Sequence, residues 1–96
     1  MKFILITSLS FLFFLSASAG QEEYDACILK HMKQVKIDVV AHLVKQACKE
    51  NYKSAAFTSE KKKIFNECIL ENLEEVESIP AAMEIKDACN RKANRK

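Results

Sequence analysis

The chain carries 15 Lys and Arg against 13 Asp and Glu in 96 residues. That near balance singles out no class of partner, and its lone glycine, Gly20, excludes a glycine-built phosphate loop. The length allows one domain with a small core, a size at which covalent staples matter.

Residues 1–20 read as a cleavable signal peptide. Lys2 is a positive start, Phe3 to Leu15 is almost wholly apolar, and Ala17-Ser18-Ala19 is a small-residue cleavage site. The apolar run is shorter than the roughly 20 residues of a spanning helix. Residues 21–96 are then the mature domain, and export places its four cysteines in an oxidising compartment, periplasmic or extracellular.

Residues 21–26 are polar and acidic, with Tyr24 placed to join an apolar stripe that continues through Cys27, Ile28, Met32 and Val35. A second stripe follows in Val39, Val40, Leu43, Val44, Ala47 and Cys48, again at helical spacing. Asp38 lies between the two arms, where its carboxylate is expected to cap the second helix. Glu50 to Lys63 reads as a linker with Ser54, Thr58 and Ser59 as possible caps and Phe57 as its one large apolar residue. A helix is expected to begin near Ser59. Ile64 and Phe65 then lead into a second Cys-Ile-Leu, Ser78 is placed to cap a last helix, and Pro80 falls in that helix's first turn. Residues 91–96 are basic, without an apolar anchor, and are expected to be disordered.

Cys-Ile-Leu at 27–29 and Ala-Cys at 47–48 recur at 68–70 and 88–89. Sliding the sequence by 41 positions superposes Val35 on Val76, Ala41 on Ala82 and Lys45 on Lys86 as well. The pattern marks an internal repeat, with copies at about 24–52 and 64–91. The fold expected is all-α: two tandem disulfide-stapled helical hairpins packed as a small four-helix arrangement. The midpoints of the Cys27–Cys48 and Cys68–Cys89 spans fall on the two expected turns, so each pair is level across its own hairpin. Four cysteines permit three connectivities, and a Cys48–Cys68 pair is also symmetric about the linker. One bridge per copy is the pairing that the repeat favours, each adding on the order of 3 kcal/mol.

The two copies have opposite charge. Lys30, Lys33 and Lys36 of the first overlie Glu71, Glu74 and Glu77 of the second. These rows are candidate partner-binding faces, within one molecule or between two, so the chain is expected as a monomer or a homodimer. The alternative is a pair of solvated faces. Nucleic acid is not expected. An anionic membrane would meet the acidic copy as well as the basic one, which disfavours it without removing it. His31 and His42 stand at similar heights on opposite arms, but no third ligand accompanies them, so no metal or cofactor is assigned. No nucleophile, base and orienting group occur together, so no catalysis is expected. The apolar stripes around Met32, Leu43, Leu73, Met83 and Ile85 are needed as core before they can line a ligand cavity.

In its doubled unit of Cys-Ile-Leu, Met or Leu, Val, a turn and Ala-Cys, the chain resembles small exported bacterial proteins with paired-cysteine helical-hairpin repeats. That resemblance covers 25–50 and 66–90 and implies no activity. Its second copy carries Ser78-Ile79-Pro80 where the first has Ile37-Asp38-Val39, which leaves its turn open. The expected function is that of a small exported protein-binding protein, an inhibitor or immunity-type protein in its most concrete form. The alternatives are a membrane-active or toxin-like peptide and a carrier of small apolar ligands.

Overall fold

The computed structural model describes residues 20–95, and the leader assigned to 1–20 lies outside that range except for Gly20. Four helices follow one another with no strand among the described residues. Helix α1 is helical over 20–31 and passes through a 3-10 turn, Met32–Gln34, into α2, Asp38–Cys48. A π-helical turn at Lys49–Lys53 and a 3-10 turn at Ala55–Phe57 lead to α3, Glu60–Asn72, and α4, Ile79–Asn94, completes the second hairpin.

Each helix buries the stripe that its spacing marks out. Val40, Val44, Ala47 and Cys48 are the buried residues of α2, at intervals of four, three and one. On α3 the buried residues are Asn66, Cys68, Ile69 and Leu70, with Leu73 just beyond, and on α4 they are Ala82, Cys89 and Ala93. Helix α3 packs against both α4 and α2, so the centre of the molecule is a three-helix seam around Val40, Val44, Ile69 and Leu73, all fully buried. The small Ala82, also fully buried, leaves room for close approach. Tyr24 and Ile28 lay α1 against this core.

Both expected bridges are present. Cys27–Cys48 joins α1 to α2 with Cα atoms 5.7 Å apart, and Cys68–Cys89 joins α3 to α4 at 5.6 Å, each across 21 residues. No described cysteine is free.

The caps explain where the helices start. Ser59 Oγ accepts a hydrogen bond from the backbone N–H of Lys62, and Ser78 Oγ accepts one from Ala81, both at 3.2 Å. Pro80 falls in the first turn of α4, where an amide hydrogen would have no helical partner. Asp38 does not cap α2. The cap is Ile37, extended at φ −135°, ψ 152° and without a side-chain bond, and Asp38 is the first helical residue. Its carboxylate still sits in the first turn, next to the positive end of the helix dipole.

The turn left open by Ser78-Ile79-Pro80 matches its counterpart. Val35 N–H donates to Met32 O at 3.2 Å and Val76 N–H to Leu73 O at 3.1 Å, while Ala41 and Ala82 donate to Ile37 and Ser78. These bonds recur at the same offset of 41 as the cysteines. Helix α3 starts at Glu60, in accord with the expected start near Ser59, whose side chain supplies its cap. The chain departs from expectation at the other end of the second hairpin. Over the described residues 91–95 the tail is not the disordered segment expected at 91–96. Helix α4 runs to Asn94, and Ala93 is 5% exposed, an apolar anchor that lies one turn past Cys89 on the same face.

Candidate functional site

The linker is the most structured irregular stretch of the molecule. Its π turn is closed by Ser54 N–H donating to Lys49 O at 2.9 Å, five residues back. The wider turn carries Glu50 and Asn51 to the flank of α3, where Asn66 is 1% exposed. Asn66 Nδ2 donates to Glu50 Oε1 at 3.0 Å and to Asn51 Oδ1 at 2.9 Å, which uses both of its hydrogens. Glu50 Oε2 in turn accepts from Gln46 Nε2, and Asn51 Nδ2 donates to Lys63 O. A side chain in the apolar stripe of α3 thus clamps the linker to both helices that it joins.

Beyond the clamp, Thr58 Oγ1 lies 2.8 Å from Glu50 O and 3.0 Å from Ser54 O, sharing its one proton between them. Phe57 N–H donates to Ser54 O at 3.0 Å. The backbone on both sides of Phe57 is therefore pinned, yet its side chain is 93% exposed. Tyr52 is half-exposed on the π turn, where the neighbouring Lys53 places its Nζ 5.3 Å from the centroid of the Tyr24 ring. Leu29 and Ile79 are exposed at 65% and 60% on the two hairpins.

Beside the linker, a groove of about 490 Å³ runs between α2, α3 and α4. Leu43, Phe65 and Ala93 supply its apolar surface, while Lys61, Lys62, Lys86 and Asp87 line it with charge. Lys62 Nζ stands 5.6 Å from the Phe65 ring centroid.

The charged rows do not close on each other. Lys30, Lys33, Lys36, Glu71 and Glu77 are exposed and form no ion pair among the described residues, while His31 Nδ1 and Glu74 Oε2 share a hydrogen bond at 2.8 Å. Glu74 lies in the turn between α3 and α4, so the contact ties the turn ends of the two hairpins together. His31 thus finds its partner in the second hairpin, and His42 is exposed on α2. No group of three or more His, Cys, Asp or Glu side chains gathers as a metal site among the described residues. No described helix is long and apolar enough to cross a membrane.

Sequence reading missed the clamp of Glu50, Asn51 and Asn66. Its one sequence signal is Asn66 itself, a polar residue at i−3 and i−7 from Ile69 and Leu73 on an apolar stripe. The groove had no signal, since its lining comes from three helices.

A family model described as four-cysteine protein VF_A0006-like matches residues 4–93. No curated protein and no solved structure matches the chain.

Proposed function

The chain belongs to the four-cysteine VF_A0006-like family, and from that premise we propose that it is an exported, non-catalytic protein-binding protein of the inhibitor or immunity type. The observation that carries this reading is Phe57, 93% exposed on a backbone held by hydrogen bonds on both sides. Leaving a phenylalanine in water forgoes about 1.5–3 kcal/mol of burial. A rigid aromatic side chain that a partner can bury without further ordering is the type of residue that dominates protein interfaces. The Lys30, Lys33 and Lys36 row and the Glu71, Glu74 and Glu77 row supply fields of opposite sign to orient that encounter. The two bridges accord with a non-reducing compartment and thus with export.

The test is crosslinking in the native compartment with a photoreactive side chain at position 57 and, as control, at the exposed Glu84. A discrete adduct from 57 alone, competed by wild-type protein and not by Phe57→Ala, is the expected result. Equal labelling from both positions would overturn the reading. The membrane-active alternative predicts dye release from anionic vesicles, in which the protein-binding reading has no part.

A further inference from the structure

Three features outside the proposed anchor bear on binding: the charged rows, the depressions beside the two bridges, and the groove between α2, α3 and α4. The rows are exposed charges whose pairing contributes about 0–1 kcal/mol each. Cys68–Cys89 and Cys27–Cys48 each border a depression, of about 440 and 260 Å³, but those bridges already serve as staples. The groove differs from both in combining apolar side chains from three helices with a surplus of cations.

Its volume of about 490 Å³ falls in the range of roughly 300–1,000 Å³ typical of small-ligand sites. Lys62 and Lys86 are half-buried, and among the described residues neither has a carboxylate within ion-pair distance, although Asp87 lines the same groove. An anion entering the groove would give these ammonium groups a counter-charge and charge-assisted hydrogen bonds. With Lys61 the lining carries three cations against one carboxylate. Leu43 and Phe65 of the lining are both partly buried core-packing residues that still present surface to the groove, so an alkyl or aryl body would gain burial there.

We infer that the groove is a binding site for a monomeric amphiphilic anion, a carboxylate with an apolar body of medium chain length. The head group lies between Lys62 and Lys86, and the body lies along Leu43 and Phe65. The site is separate from Phe57 and does not depend on the protein-binding reading.

The same chemistry is offered by free fatty acids and by anionic lipid surfaces, and the experiment separates them. The full, disulfide-bonded protein is titrated calorimetrically with decanoate below its aggregation threshold, with decanol as the uncharged control, and with phosphatidylglycerol vesicles. The expected result is saturable binding of one decanoate per chain and at least tenfold weaker binding of decanol. The variant Lys62→Gln/Lys86→Gln should lose at least tenfold in affinity for decanoate with an unchanged melting temperature. Lys45→Gln/Lys49→Gln, with the same change of charge at exposed positions outside the groove lining, should bind like wild type. Equal affinity for decanol, an equal loss in both double variants, or binding to vesicles alone would each overturn the inference.

Discussion

Asn66 shows how one side chain can decide the course of a linker. With both amide hydrogens committed to Glu50 and Asn51, Asn66→Leu leaves two half-buried acceptors without their donor. Leaving such groups unpaired costs about 1–3 kcal/mol, and we expect that loss in a denaturant titration; an unchanged midpoint would mean that water replaces the amide fully. Ser78→Ala removes the acceptor for Ala81 N–H and should cost about 1 kcal/mol. Leu73→Ala, at a fully buried seam position, belongs to a larger class of about 2–5 kcal/mol. The serine caps and the core stripes were legible in the sequence because each depends on neighbours within one helical turn. Asn66 was not, because its meaning depends on a π turn 15 residues away in the chain. Asp38 misled for a related reason: a good capping residue one position too late becomes the first residue of the helix, and the turn geometry at Ile37 makes that choice.

The hairpins were the most legible elements. Cysteines equidistant from a turn stay level when two helices run back from it, so spacing alone predicted the partners that the structure joins. Because both bridges close the same 21-residue span, the chain-entropy contribution of each is the same, about 3 kcal/mol. Their structural consequences should differ. Helix α4 packs directly on α3 and on α2, and α1 is held to the core by Tyr24, Ile28, the His31–Glu74 contact and its bridge. Replacing Cys27 and Cys48 by alanine should therefore release α1, visible as fast hydrogen exchange over 20–31 with protection retained in α3. The matching Cys68 and Cys89 replacement should lower the melting temperature without freeing one helix alone. The end of α4 was less legible: a single alanine among Asn, Arg and Lys is a faint signal, and Ala93 is buried only because it lies one turn beyond Cys89.

At the scale of the whole molecule, opposite charge on the two hairpins pointed to rows that meet face to face. Among the described residues the rows stay apart, and Glu74 instead meets His31, a partner that no alignment of like positions would give. A double-mutant cycle on these two residues should give a coupling of about 0.5–1 kcal/mol, as for other partly exposed pairs. The remaining lysines and glutamates are left to the solvent and to whatever docks there. Neither bridge crosses from one hairpin to the other, so among the described residues the seam of α2 against α3 is held without a disulfide, by side-chain packing, the Asn66 clamp and the His31 contact. Proteolysis confined to the linker should thus yield two pieces that part in denaturant without reductant. A chain whose linker straightened would offer its α3 face to the α2 of a neighbour on the same terms as to its own, so exchange of halves between molecules is the outcome expected once the linker's hydrogen bonds are lost. The resulting intertwined pair would break no covalent bond and would bury the same core twice over.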